Sequence, residues 1–343
     1  MSKIDDVAKK ANVSKGTVSN VFSGKRPISE KVKNQVLEAA KELNYTPSHI
    51  ARSLVTKKTM TISLNIPYSK NLPLSNFHIN LINGVIMEAS SHNYRILIDT
   101  LSRENLELQY MSREAVDGVI LLDPRENDSR MKYLLDFNIP FVIIGQPSEE
   151  YIAQSIYVDN NNKELAKNIT SFLINKGHRN ILYLNAPLSM TVSTIRQNGF
   201  FKAFNDAQVN PNNSKVVFKD SLDIDPSLYG YNKVKEFFSK NRDGYTAIIA
   251  DTDKVGLGAS RALKELDLAV PEDVSLLALS DDLVLSHELA PPLSTVDLKG
   301  SELGSEAVRL LFAQLGIGNY KKIQTKIVEG KFNIRGSIHT AKE

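Results

Sequence analysis

The sequence predicts two unlike parts: an all-α head of helix-turn-helix type, and an α/β core made of two doubly wound parallel-sheet lobes. Three observations predict it. Residues 1–58 carry 12 Lys or Arg against 5 Asp or Glu, a net +7, so a chain of total charge +3 leaves −4 on the remainder. Within that basic segment, apolar residues recur at helical spacing in three short runs separated by turn residues. Beyond Met60 the pattern becomes short apolar runs alternating with amphipathic stretches, and it restarts after Val158-Asp159-Asn160. At 343 residues, the chain is too long for one core.

The first helix of the head follows from Ile4, Val7, Ala8 and Ala11, which fall at i, i+3, i+4 and i+7 and leave Lys3, Lys9 and Lys10 outside the stripe. Asn12-Val13-Ser14 breaks it. Ser14 is placed to cap a second helix from Lys15 to about Phe22, with Val18, Val21 and Phe22 on one face and Lys15, Gly16, Thr17 and Asn20 on the other. After the break at Ser23-Gly24-Lys25-Arg26-Pro27, Ser29 can cap a third helix striped by Val32, Val36, Ala40 and Leu43.

Two helices joined by a tight turn and closed by a third make a tip whose second helix fits the DNA major groove. Lys15, Gly16 and Asn20 are the expected base readers. A lysine donates to guanine acceptors, an asparagine pairs with adenine in both directions, and a glycine admits close approach. Ser14, Thr17 and Ser19 suit phosphate contacts that set register. The alternative is that these residues form only the solvated face of a helical bundle.

The run from Ile4 to Val21, IDDVAKKANVSKGTVSNV, closely resembles the head of the LacI/GalR family of bacterial repressors. The likeness continues through Pro27-Ile28-Ser29 and Leu43-Asn44-Tyr45-Thr46-Pro47 into Ile50-Ala51-Arg52-Ser53-Leu54. Asn20 stands where many members have Arg, which implies a different operator base pair. The segment from Pro47 to Thr59 resembles the family's hinge helix. It is too short for an isolated helix to be stable in water. The resemblance implies that it forms when paired over the operator, with Ala51 at the DNA and Leu54 as a wedge in the minor groove. The head is then expected over 1–46, the hinge over 47–59 and the core over 60–340.

In the core, Thr61–Ile66, Arg95–Ile98, Gly118–Leu122 and Pro140–Ile144 read as strands at βαβ spacing, followed by a second set near Ile181–Leu184, Ala247–Ile249 and Val274–Leu279. Ligands of such sheets bind beyond the carboxyl ends of the strands. The motifs Val158-Asp159-Asn160, Gly177-His178-Arg179, Arg196-Gln197-Asn198-Gly199-Phe200, Pro271-Glu272-Asp273-Val274-Ser275 and Pro291-Pro292-Leu293-Ser294-Thr295-Val296 look like family landmarks in order. They imply the periplasmic-binding-protein-like type I fold, with an N-lobe of about 60–158 and 290–322 and a C-lobe of about 159–289 and 323–340. They also imply a small effector, a sugar or sugar derivative, clamped between the lobes of a homodimer on double-stranded operator DNA.

Arg196 is the leading effector residue, because a planar guanidinium can hold vicinal hydroxyls or a carboxylate in one orientation. Asp253 resembles a family position that accepts from sugar hydroxyls, and Thr252 beside it replaces the usual Asn. Asp281, or its neighbour Ser280, resembles another. Phe77 and Asp159 complete the expected set. The chain has no Trp, and Ile224-Asp225-Pro226 lacks the aromatic on which members often stack a sugar. A nucleobase-like effector is the alternative class.

Composition and motifs argue against rival functions. Without Cys there is no disulfide framework and no cysteine metal or redox site. The polar N-terminus and the lack of a long apolar run predict a cytoplasmic chain with no membrane partner. No GxxxxGK, GxSxG or HExxH occurs, the six His are scattered, and Gly256-Leu257-Gly258 has no third glycine, so neither an enzyme nor a cofactor or metal site is expected. An exported solute-binding protein would match the core but has no use for a basic head.

Overall fold

A computed structural model describes residues 2–23, 26–45, 58–67, 74–101, 116–240 and 244–341. The hinge residues 47–57, and with them Ala51 and Leu54, lie outside the described residues.

The head contains α1 (Ile4–Lys10), α2 (Lys15–Ser23) and α3 (Glu30–Glu42). Asn12 and Asn44, just past α1 and α3, take positive φ, which lets each helix end in a left-handed turn. Ser14 accepts from the Thr17 N–H at 3.1 Å, as its spacing predicts. Ser29 occupies the cap position of α3 but makes no side-chain cap bond. Val7, Ala8, Ala11, Val18, Val36, Ala39 and Ala40 close the core, with Phe22 and Tyr45 packed at its edge.

The core runs β1 (Thr61–Pro67), α4 (Asn76–Ser91), β2 (Arg95–Leu101), β3 (Gly118–Leu122), α5 (Ser129–Asp136), β4 (Phe141–Ile144), α6 (Glu149–Ile152) and β5 (Tyr157–Asp159). It continues with α7 (Asn162–Asn175), β6 (Ile181–Asn185), α8 (Thr191–Asp206), β7 (Lys215–Phe218), α9 (Pro226–Lys240), β8 (Ala247–Ala250), α10 (Asp253–Glu265), β9 (Ser275–Ala278) and α11 (Leu283–Glu288). The last elements are β10 (Ser294–Asp297), α12 (Gly300–Leu315), β11 (Thr325–Ile327) and β12 (Lys331–Asn333). One sheet has the order β11-β5-β4-β3-β1-β2 and the other β12-β10-β9-β8-β6-β7. Every pairing is parallel except β10 with β12. No described helix is long and apolar enough to cross a membrane.

Two lobe boundaries differ from the sequence expectation. Residues 294–297, expected in the N-lobe, form β10 of the C-lobe sheet, because Leu293 and Val296 bury in C-lobe clusters. The chain crosses at Leu298-Lys299, and α12 then covers the N-lobe with Leu303, Ala307, Val308, Leu311 and Phe312. Residues 325–327, expected in the C-lobe, are the edge strand of the N-lobe sheet, and the return follows Val328. The third crossing leaves β5 at Asp159-Asn160. Buried Asn160 binds all three together: its Nδ2 donates to the carbonyls of Leu298 and Val328, both at 2.9 Å.

Helix α12 lies directly on α4. A Cβ on Gly84 would sit 1.9 Å from the Ser301 carbonyl oxygen, so only glycine allows this approach. Gly258 answers the GxG question in the same way, since a Cβ there would sit 1.9 Å from the Ser227 carbonyl oxygen where α10 meets α9. Its glycine serves helix packing.

Candidate DNA interface and effector cavity

The exposed end of α2 presents Ser14, Lys15 and Gly16, while Thr17, Ser19 and Asn20 are half-buried along the same helix. A Cβ on Gly16 would meet only the Ser14 Oγ, at 3.6 Å, so nothing inside the head requires glycine there. Its bareness is turned outward. Lys15 pairs with Asp5 of α1, an exposed contact that contributes little and can be exchanged for a phosphate or base.

Where the linker enters the core, Asp117 anchors it. Its Oδ1 accepts from the N–H and hydroxyl of Thr59 at 2.7 and 2.9 Å, and its Oδ2 from the Met60 N–H at 3.1 Å. The Tyr94 hydroxyl donates to the same Oδ2 at 2.9 Å. Burial first, and then the Asp117 carboxylate, push that hydroxyl well above its usual range, so it stays a donor.

Between the lobes lies a cavity of about 190 Å³, walled by the carboxyl ends of strands from both sheets. On the N-lobe side, Phe77, His78 and Ser75 come from the start of α4, and Asp123 follows β3. His78 contacts Ser75 Oγ through Nδ1 at 2.6 Å and Asp123 Oδ2 through Nε2 at 3.3 Å. Burial works against the Asp123 charge, but His78 and the nearby Arg130 and Arg125 outweigh it and hold the carboxyl below its ordinary range. Behind the wall, buried Arg130 grips Asp128 with Nε and Nη2, at 2.9 and 2.7 Å, and reaches Asn65 Oδ1 and the Leu122 carbonyl. That network fixes the loop carrying Asp123.

The C-lobe wall centres on Arg196, which α8 delivers. Its Nε donates to Asn162 Oδ1 at 2.8 Å and its Nη1 to Asp251 Oδ1 at 2.6 Å. Asn162 in turn donates to Asp159 Oδ1 at 2.7 Å, so Asp159, Asn162, Arg196 and Asp251 form one chain across the crossing. Thr252 caps α10 by accepting from Val255 N–H. Asp253 accepts from the N–H groups of Lys254 and Asp282 at 2.7 and 2.9 Å, while burial pushes its carboxyl pKa up. Across the mouth, the Thr191 hydroxyl donates to the carbonyls of Gln146 and Pro124, joining the lobes directly.

Of the expected effector residues, Arg196, Asp253, Thr252, Phe77 and Asp159 line this cavity together. Asp281 does not; Ser280 takes the lining position. Asp281 is turned away to Arg335 Nη2 at 3.0 Å and Asn333 Nδ2 at 2.8 Å. Burial opposes its charge, and Arg335 together with the side-chain donors Ser286, Thr295 and Asn333 more than compensates, so the carboxyl sits below its usual range. Sequence reasoning missed His78, Asp123, Asp251 and Lys219. The available signal was position, since Asp123, Asp251 and Lys219 each follow within a residue of an apolar strand.

Residues 3–48 match the pattern described as bacterial regulatory proteins, lacI family, and residues 170–338 that of a periplasmic binding protein-like domain. The ribose operon repressor of Haemophilus influenzae is 30% identical over 349 residues, covering 100% of both chains. This chain belongs to the LacI family. It is a transcriptional repressor of that family, whose members are DNA-binding regulators. Among solved structures, the transcriptional regulator CelR-cellobiose complex matches with a TM-score of 0.73 and 27% identity over 98% of this chain and 100% of that one. The lac repressor dimer bound to operator and the anti-inducer ONPF shares the fold, with a TM-score of 0.82 at 21% identity over 98% and 99% of the two chains.

Proposed function

We propose that this repressor acts as a homodimer on the operator of a carbohydrate-utilisation operon, and that a sugar or sugar derivative bound between its lobes modulates its grip. The observation that carries the reading is the interlobe cavity, lined by Arg196, Asp159, Thr252, Asp253 and Phe77 at the carboxyl ends of both sheets. Carboxylates and amides there suit hydroxyl donors, and the Phe77 ring offers one apolar face. The relatives named for a ribose operon and for a cellobiose complex support a sugar without choosing one.

Ser14, Lys15, Gly16, Thr17, Ser19 and Asn20 contact the operator, joined by Ala51 and Leu54 of the hinge. Because one head reads a half-site, two chains pair. Exposed Ile79, Ile86 and Met87 on α4, with Leu97 and Ile98 on the neighbouring edge strand β2, supply an apolar face for a second copy. Effector binding changes lobe closure at the three crossings and thereby the position of the Thr59–Asp117 anchor.

The test starts from selection of duplexes from a random library on the full-length protein. Affinity for the selected duplex should fall steeply with salt; six to ten phosphate contacts correspond to roughly 10³–10⁵-fold between about 50 and 200 mM. A version lacking residues 1–58 should retain no duplex. Salt-independent retention, or retention without the head, defeats the reading.

A further inference from the structure

Two cations on the C-lobe wall, Lys219 and Lys254, form no salt bridge among the described residues. Lys219 follows β7 and is only 8% exposed, so its side chain is largely withdrawn from solvent. Its hydrogen bond within the protein is a long one, 3.4 Å to the carbonyl of Ile224. Burial depresses its pKa, against the pull of Asp251, Asp225 and Asp223. Those carboxylates are engaged elsewhere. Asp251 holds Arg196, Asp225 accepts from the Leu228 N–H, and Asp223 accepts from the Ser221 hydroxyl.

The carboxylates lining the cavity do not fill the need either. Asp123 is met by His78, Asp159 by Asn162, and Asp253 by the N–H groups of Lys254 and Asp282. Arg196 has two nitrogens committed to Asn162 and Asp251. An ammonium buried with so weak a partner is unfavourable until a strong acceptor arrives, and an anionic oxygen is a stronger acceptor than a hydroxyl. The loop beside Lys219 contributes Leu222 and Pro226 to the wall, so it offers charge at that end in place of an aromatic platform.

We propose that Lys219, with Lys254, forms an anion subsite, and that the effector is a sugar derivative bearing a phosphate or carboxylate. This rests on the effector-cavity reading above and narrows it.

Matched probes test it on the full-length protein: ribose against ribose 5-phosphate, glucose against glucose 6-phosphate and gluconate, and sodium phosphate or acetate against sodium chloride at equal ionic strength. Thermal unfolding and operator release are read for wild type, Lys219→Met and Lys219→Arg. A charged probe should stabilise wild type where its neutral counterpart does not, and the phosphate and carboxylate arms separate the two anions. Lys219→Met should weaken that binding by about tenfold or more, and Lys219→Arg should keep most of it. Without ligand, Lys219→Met should melt at or above wild type, because it removes a poorly paired buried charge. The proposal is overturned if neutral sugars bind as well as charged ones, if no charged probe stabilises wild type over Lys219→Met, or if ligand-free Lys219→Met melts lower. Operator binding by ligand-free wild type is the control: its absence sinks the regulator reading, whereas operator release by neutral sugars alone sinks only the anion subsite.

Discussion

Arg196 reaches the cavity with Nε already held by Asn162 and Nη1 by Asp251. Arg196→Ala would leave Asp251 largely buried and unpaired, so it should cost about 3–5 kcal/mol of stability as well as the effector response. Calorimetry alongside effector titration checks both; an unchanged melting temperature would show the pair to be dispensable. The sequence made the guanidinium's place legible, but its partner lies 55 residues away, beyond any local pattern. The Ser280/Asp281 ambiguity likewise needed the structure, because what turns Asp281 from the cleft is Arg335, near the end of the chain. His178 carries a pH prediction. It is buried between Thr246 Oγ1 at 2.9 Å and the His339 carbonyl at 3.0 Å, and burial lowers its pKa from 6.5. Below about 6.5 the unfolded chain therefore binds more protons than the folded one, and stability falls with pH. Melting temperatures taken from roughly pH 7.5 to 5.5 should show this fall, flattened in His178→Gln; an equal slope in the variant would assign the loss elsewhere.

Among the elements, β1 to β4, β6, β8 and β9 were legible because their apolar runs sit at βαβ spacing, and α1 to α3 because each has a periodic stripe and a break residue, whereas the short, more polar β5, β7, β10, β11 and β12 were not read as strands. The segment before α12 was expected in the other lobe, since nothing in Ser294–Asp297 itself tells one sheet from the other and only its pairing with β9 and β12 decides. The linker's entry to β1 was not legible at all. Asp117 lies 58 residues from Thr59, yet it receives three hydrogen bonds from Thr59 and Met60. A hydrogen bond to a charged group is worth about 1.5–3 kcal/mol. Asp117→Ala should accordingly loosen the base of the linker and weaken operator binding while effector affinity stays near wild type. Parallel duplex and ligand titrations test the split, and equal losses in both would make Asp117 a general stability residue instead.

At the scale of the whole molecule, charge asymmetry and repeated βαβ pattern were enough to place a basic head on a two-lobed core. The paths between lobes were not, because three crossings converge on a single asparagine side chain. Pairing of two copies is tested by Met87→Glu, which puts a charge in the exposed apolar face of α4; sedimentation should show monomers, and operator affinity should fall with them. A variant that still sediments as a dimer would move the interface elsewhere. The crossings also bear on how the chain is made. When synthesis has reached residue 297, the second lobe has every strand but β12, whereas Leu81, Val85 and Ala89 of the first still await α12. The half that leaves the ribosome earliest thus waits for a helix made after nearly all of the other half, and a nascent chain halted there would display the apolar side of α4 to whatever chaperone meets it.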